Sequence, residues 1–264
     1  MPKTPISYYG GKQNMLKHIL PNIPEHRIYT EAFFGGGAVF FAKEPSESEI
    51  INDLNTQVMN FYQVCIQDYM SLKIKIESTV FSRATYKVAM VIYQMPHLFN
   101  RVQQAWAFYI ATNMGFGCRV GSWGMDKYGK RVKAFLNKKI TFDHLIKERL
   151  EHAQIETGDA VKVIKQYDND DTFHYIDPPY IETNMGHYQG YSIAEYKRLL
   201  ECLKTIKGKF LLSGFPNDIL DRYIHQEGWF ALGFNKPKTA SKATLGKPRV
   251  ARKTEVLVSN YEIQ

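Results

Sequence analysis

The segment with the most specific chemistry is Asp177-Pro178-Pro179-Tyr180, directly after the β-forming run Thr172 to Ile176. Two consecutive prolines fix two φ angles and remove two backbone N–H donors. What remains on display is a pair of acceptors, the Asp177 carboxylate and the Pro178 carbonyl. Such a pair suits a planar amino group with two N–H bonds to donate. Tyr180 adds an aromatic face able to stack on a planar ring. Asp-Pro is common in surface turns. A plain turn, however, requires neither the tyrosine nor a place at the C-terminal end of a strand, where α/β folds bind ligands.

A second candidate is Phe33-Phe34-Gly35-Gly36-Gly37-Ala38. A strand that ends in glycines and opens a helix lets a ligand approach the backbone closely. Three glycines alone mark only a turn. Asp53, 18 residues after Gly35 at the end of the next apolar run, changes that reading. A carboxylate there accepts hydrogen bonds from both ribose hydroxyls of a nucleoside, so the pair points to a nucleoside-containing cofactor. A phosphate-binding P-loop is not expected, because Gly10-Gly11-Lys12 has no Ser or Thr behind it. No metal site is expected either. His18 and His26, like His144 and His152, are eight apart, which is not ligand spacing.

The elements that position these residues alternate between strand and helix. Arg27 to Phe34, Glu49 to Asn52, Ile155-Glu156, Thr172 to Ile176, Phe210 to Ser213 and Thr254 to Ser259 read as strands. Asn14 to Leu20, Ala38 to Lys43 and Ile193 to Lys204 read as helices. Between the first and second groups the pattern turns helical, from Asn55 to about Tyr93 and from Arg101 to Asn113, with Pro96 as the break. Trp106, Phe108, Tyr109, Met90, Val91 and Tyr93 are expected in that helical core. This predicts one α/β domain in two parts, residues 1–55 and 151–264, interrupted by a helical insertion at 56–150.

The 264 residues carry 34 Lys and Arg against 26 Asp and Glu, a net +8. That length can bury a core without disulfides or metals. Cys65, Cys118 and Cys202 form no paired motif, which suggests a reducing, cytosolic setting. No apolar run approaches the roughly 20 residues of a membrane span, and Met1 to Pro5 lacks the apolar core of a signal peptide. The positive charge is concentrated in two places. Gly115 to Lys139, expected as a loop or hairpin, has seven basic residues and one acid; Lys236 to Lys253 has seven and none. Both are broken by glycine or proline and suit a phosphate backbone, so nucleic acid is the expected partner.

The order and content of these motifs resemble the Dam-type (D12 class) DNA adenine-N6 methyltransferases. The resemblance rests on Tyr8-Tyr9-Gly10-Gly11-Lys12, Phe33 to Phe40, Asn52-Asp53-Leu54-Asn55, the Asn113 to Arg119 region, Gly158-Asp159 and Asp177 to Tyr180, and it covers most of the chain. It implies a class I S-adenosylmethionine-dependent methyltransferase fold, a mainly parallel seven-stranded sheet with a helical DNA-recognition insertion. It also implies methyl transfer from S-adenosylmethionine to N6 of a flipped-out adenine, in a bacterial or phage-infected cell. A monomer is expected.

The resemblance extends to individual residues. Tyr8 would line the cofactor pocket and Lys12 would hold the cofactor's carboxylate. Phe34, Gly35 and Gly37 would shape the loop under its methionine part. Asp53 would bind its ribose, and Asp159 would lie near its adenine. Asp177, Pro178, Pro179 and Tyr180 would take the target base, and Asp177 would also border the cofactor. Arg119 would read a guanine, within a DNA-binding set that includes Asn113, Phe116, Lys127, Lys130 and Arg131, with Lys247, Arg249 and Arg252 from the second basic segment. Met114 or Phe116 would fill the gap left by the base. Two other amino-group targets, cytosine N4 and a glutamine amide, suit the same acceptor pair, and so does an inactive DNA-binding protein on this fold.

Overall fold

The computed structural model describes residues 3–118, 120–181, 191–237 and 252–264. In chain order its elements begin with α1 (Leu16–Ile19), β1 (Ile28–Glu31), α2 (Ala38–Ala42) and β2 (Ser48–Asn52). A helical block follows: α3 (Thr56–Gln67), α4 (Tyr69–Glu77), α5 (Arg83–Gln94), α6 (Arg101–Met114), α7 (Lys130–Ile140) and α8 (His144–Glu151). The alternating pattern then resumes with β3 (Ala153–Glu156), α9 (Ala160–Tyr167), β4 (Thr172–Ile176), α10 (Ile193–Leu203), β5 (Lys209–Gly214), α11 (Asp218–Glu227), β6 (Phe230–Pro237) and β7 (Arg252–Ser259).

The seven strands form one sheet in the order β3-β2-β1-β4-β5-β7-β6. The first five are parallel; β7 runs antiparallel to β5 and β6. This is the mainly parallel α/β architecture expected. β4 is buried along its whole length and β5 everywhere but Lys209. Strands covered on both faces read as continuous apolar runs, which is why Thr172 to Ile176 and Phe210 to Ser213 stood out in the sequence. The strand order reverses between β1 and β4, and Glu31 lies in register with both Ile51 of β2 and Tyr175 of β4. Such a reversal leaves a crevice beyond the carboxyl ends of the strands. Both motif segments and Asp53 open from those ends.

The helical block at 56–150 shares its core with the sheet. Phe61 and Tyr62 of α3 and Phe108 and Tyr109 of α6 belong to one apolar cluster with Tyr29, Phe34 and Phe40. A buried ionic cluster closes the far end of the block. Arg149 of α8 donates to Glu49 and to the Phe40 carbonyl, with its guanidinium 3.6 Å over the Phe40 ring. Lys43 pairs with the same Glu49 at 2.6 Å. Asn100 caps α6 reciprocally with Gln103, and a single 3-10 turn at Pro96–Leu98 makes the expected break.

Several expectations change. β1 ends at Glu31, so Ala32, Phe33 and Phe34 belong to the turn beyond it. The stretch expected as a loop or hairpin at 115–139 ends at Gly129, and Lys130–Ile140 is helix α7. The glycines stop at Gly129, and the remaining residues wind around one apolar anchor, the buried Phe135. Val91 is not core: it is 52% exposed. The second basic segment begins at the end of β6 and finishes at the start of β7, and residues 238–251 lie outside the described residues. Lys236 pairs with Lys253 and Pro237 with Arg252. Because Gly214 at the carboxyl end of β5 pairs with Val256, this ladder runs past that end and emerges on the same edge of the sheet as Asp177. Among the described residues, no helix is long and apolar enough to cross a membrane, and no cluster of His, Cys, Asp and Glu could hold a metal ion.

Candidate active site

A cavity of about 180 Å³ lies in the crevice. Every residue expected to bind cofactor lines it: Tyr8, Lys12, Phe34, Gly35, Gly37, Asp53, Asp159 and Asp177, together with Pro178, Pro179 and Tyr180. Residues from five separate segments of the sequence thus meet because each follows, or packs on, a carboxyl end of the sheet.

The glycine turn is shaped by close approach. A Cβ on Gly35 would come within 2.8 Å of the Tyr8 ring, and one on Gly36 within 2.9 Å of the Tyr8 Cβ. Gly35 and Gly37 also take positive φ angles of 46° and 63°. Tyr8 therefore lies against the glycine backbone as one wall of the cavity, and Gly36 is needed for that contact. Phe34 is only 2% exposed and packs edge-on against Phe40 and Tyr62, so it supports the turn from below.

Asp53 accepts from the Gly35 amide at 2.8 Å and from the Asn55 amide at 2.8 Å. It clamps the glycine turn to the start of α3. Its neighbour Asn52 is fully buried and joins two loops. Its side chain donates to the Ala32 carbonyl at 2.9 Å and the Gly158 carbonyl at 3.0 Å, and accepts from the Gly158 amide at 2.9 Å. Asp159 caps α9 through the Lys162 amide and forms an ion pair with Arg198 of α10.

Lys12 occupies the centre of the site and is 3% exposed. Its ammonium lies 2.6 Å from the Asp177 carboxylate, and donates to the Tyr180 hydroxyl at 3.3 Å and the Gly10 carbonyl at 3.3 Å. Burial alone would lower its pKa, but Asp177 and then Tyr180 more than offset that, and the net direction is upward. The ammonium stays charged. Three acceptors match its three N–H bonds. In the structure Lys12 thus holds the Asp-Pro-Pro-Tyr turn; the resemblance implies a hold on the cofactor's carboxylate. Burial also pushes the Tyr180 phenol up to about 12, against the opposing pull of Lys12, so it remains neutral.

The expected DNA-binding residues divide. Lys127 and Lys130 are exposed, and Phe116 is 63% exposed on the loop after α6, where its amide bonds to the Ser122 carbonyl at 2.7 Å. Arg131 is turned inward onto the Met114 and Gly115 carbonyls at 3.1 and 2.7 Å, and closes that loop. Asn113 accepts from the Ser7 amide at 2.9 Å and ties α6 to the N-terminal segment. Met114 is fully buried and cannot fill a gap in DNA. Lys138 is likewise spent inside, on the Thr4 carbonyl, where burial pushes its ammonium down to about 8. Arg119, Lys247 and Arg249 lie outside the described residues, and Arg252 opens β7.

Glu31 was not anticipated. It ends β1, is 3% exposed, lines the cavity and accepts from the Tyr29 hydroxyl at 2.7 Å and the Phe40 amide at 3.2 Å. Its position immediately before the turn was the available signal. Burial raises its pKa to about 8, opposed by the Tyr29 hydrogen bond and aided by the Asp177 charge. A raised folded-state value means stability that is complete below the usual 4.5 and lost as pH rises through about 8. Glu31→Gln mimics the neutral form. It should flatten the fall in thermal midpoint between pH 5 and pH 9, roughly the span set by that shift. A variant with the wild-type slope would show that Glu31 ionises normally.

The family model for D12 class N6 adenine-specific DNA methyltransferase matches residues 8–230. Among curated relatives, the chain is 27% identical over 275 residues to the Type II methyltransferase M1.LlaDCHI of Lactococcus lactis subsp. cremoris, covering 96% of this chain and 93% of that one. It is 25% identical over 293 residues to the Type II methyltransferase M.MjaIII of Methanocaldococcus jannaschii, covering 97% and 98%. The match spans β1 to β5, the helical block between β2 and β3 and every segment that lines the cavity, and the chain belongs to the D12 class N6 adenine-specific DNA methyltransferase family.

Proposed function

We propose that the protein transfers a methyl group from S-adenosylmethionine to N6 of an adenine extruded from duplex DNA. The observation that carries this reading is the Lys12–Asp177–Tyr180 cluster at the edge of the cavity. It presents an anionic acceptor, held by a cation, beside an aromatic ring.

The cavity suits a nucleoside cofactor. Tyr8 fills the space that side chains on Gly35 and Gly36 would take, leaving a flat wall against the backbone. A carboxylate offers about four lone-pair sites, so the two amide bonds of Asp53 are compatible with accepting ribose hydroxyls as well. Tyr8, Phe34, Gly35, Gly37, Asp53 and Asp159 would hold the cofactor. When bound, it supplies an electrophilic methyl group.

The remaining chemistry belongs to the chain. Adenine N6 is a poor nucleophile because its lone pair is delocalised into the ring. Asp177 and the Pro178 carbonyl accept its two N–H bonds, which favours a pyramidal nitrogen with its lone pair turned toward the cofactor cavity. Lys12 keeps Asp177 anionic and fixes its direction, and Tyr180 stacks on the base. Rate enhancement then comes from alignment and preorganised charge. No cysteine nucleophile is needed; Cys65 and Cys202 are buried with thiol pKa values raised by that burial. The base must leave the helix because its amino group is otherwise inside the stack. Phe116, exposed beside the cavity loop, is the residue suited to fill the gap, and Arg119 is assigned to guanine by resemblance.

Lys127, Lys130 and the second basic segment would meet phosphates. Binding to duplex DNA should therefore weaken linearly in log–log salt plots. Lys127→Ala and Lys130→Ala should each reduce the slope by about 1 without changing cofactor binding. Unchanged slopes would remove both from the interface. The direct test of the reading is transfer of label from methyl-labelled S-adenosylmethionine into duplex DNA. Persistent absence of label with folded protein and varied DNA sequence would overturn it.

A further inference from the structure

Helix α10 turns one face to the cofactor cavity and another to the core. Tyr191, just before the helix, and Glu195 and Arg198 within it line the cavity at helical spacing, while Tyr196 and Leu199 pack inward. The first two are engaged at the start of the helix. Tyr191 meets Phe33 edge to face with ring centroids 5.8 Å apart. Glu195 closes the N-cap with Ser192, accepting from its amide at 2.9 Å and its hydroxyl at 2.7 Å. Arg198 instead reaches to Asp159 at the start of α9, so the pair joins two walls of the cavity. These side chains are 52% and 32% exposed, and as a surface ion pair they contribute little to stability. Their geometry says more. Oδ1 of Asp159 accepts from the Lys162 amide at 3.1 Å, and Oδ2 accepts from Arg198. A donor on each oxygen fixes the direction of the carboxylate. A carboxylate offers about four lone-pair sites, so roughly two are left for a ligand.

We propose that Arg198 is a positioning residue for the cofactor. It holds Asp159 at the angle that accepts the adenine amino group, and the pair selects an adenine ring over a 6-oxo purine. This rests on the reading that the cavity takes S-adenosylmethionine with its adenine near Asp159. Adenine presents N–H donors at its 6-amino group. Hypoxanthine presents a carbonyl oxygen there, which meets the carboxylate acceptor to acceptor. A freely turning Asp159 would escape that repulsion and lose its discrimination; one pinned by Lys162 and Arg198 does not. A bound adenine also shields the pair from water, which strengthens its attraction. Without Arg198 the same shielding would leave a carboxylate with no cation, at a cost to binding. Arg198 acts through Asp159 and not on the methyl group, so its loss is felt in cofactor affinity.

The test measures binding of S-adenosylhomocysteine and its 6-oxo analogue, S-inosylhomocysteine, to the full chain. Wild type is compared with Arg198→Ala, Arg198→Lys, Asp159→Asn and the Asp159→Asn, Arg198→Ala double variant. Wild type should prefer the adenosyl compound by about tenfold or more, the scale of a hydrogen bond to a charged group. Arg198→Ala should weaken the adenosyl compound by about tenfold and the inosyl compound by no more than about twofold, so the preference collapses. In methyl transfer, KM for S-adenosylmethionine should rise in step while kcat at saturation stays within about twofold. Arg198→Lys keeps a cation without the planar fork and should recover part of the loss. In the Asp159→Asn background, removing Arg198 should cost less than about a further twofold, because the two act as one unit. Thermal midpoints close to wild type show that the Arg198 variants are folded. An unchanged preference in Arg198→Ala, an equal loss for both compounds, a lysine variant no better than alanine, or an additive double variant would overturn the proposal. Wild-type protein that binds neither compound would instead overturn the reading beneath it.

Discussion

Asp177→Ala is expected to lower methyl transfer to DNA by about 10²–10³-fold or more, with cofactor binding retained. The magnitude follows from losing one preorganised polar partner of the reacting group, which costs that much in other sites where charge is aligned in advance. The change also strips Lys12 of its anion in a site where the lysine is 3% exposed. Burial, the largest influence on Lys12, then acts with less opposition, and the ammonium sheds its proton more readily instead of standing charged and unpaired. The variant should therefore fold, with a lower thermal midpoint than wild type. Transfer measured well below that midpoint separates chemistry from unfolding. Near-normal transfer would remove Asp177 from the acceptor role.

The second large effect is expected at Lys12, and its pH dependence tells two roles apart. If Lys12 holds Asp177 as the structure has it, Lys12→Met removes the cation that favours the carboxylate. A neighbouring cation typically depresses a carboxylate pKa by about 1–3 units. The acidic limb of kcat/KM for DNA should move upward, and the deficit should shrink as pH rises across that limb. Cofactor affinity should change less. If Lys12 holds the cofactor's carboxylate, as resemblance implied, the KM for S-adenosylmethionine rises and the acidic limb stays in place. The full profile for both substrates distinguishes these outcomes.

Much of the sheet was legible because its strands are buried on both faces. β2, β4 and β5 appear as short continuous apolar runs, and the glycine turn and the double proline punctuate their ends. β6 was missed for a physical reason: Phe230–Pro237 is an edge strand, interrupted by Gly233 and paired only with β7. Helix α7 was hidden because its composition is that of a basic loop; only Phe135 is buried on it. Its charge also misleads. Arg131 and Lys138 read as phosphate contacts, yet backbone carbonyls left over by the turn around Gly115 and the N-terminal segment recruit them inward. Charge counts do not show which cations an irregular backbone consumes.

The cofactor side of the site was legible residue by residue, since its segments lie at strand ends. The partners that fix those segments were not. Asn52 looked like a neighbour of Asp53, and its role appears only when β1 and β3 flank β2 and bring Ala32 and Gly158 within reach. Phe215 carries no motif. It becomes notable because β5 lies beside β4, which sets its ring against Tyr180.

The most direct measurement is the identity of the methylated base. Duplex DNA treated with the protein and methyl-labelled S-adenosylmethionine is digested to nucleosides and separated. The label is expected in N6-methyladenine alone, and Asp177→Ala should lower it by about 10²–10³-fold or more. Label in N4-methylcytosine, or none in either nucleoside from folded wild-type protein, would contradict adenine N6 as the atom that Asp177 and Pro178 hold.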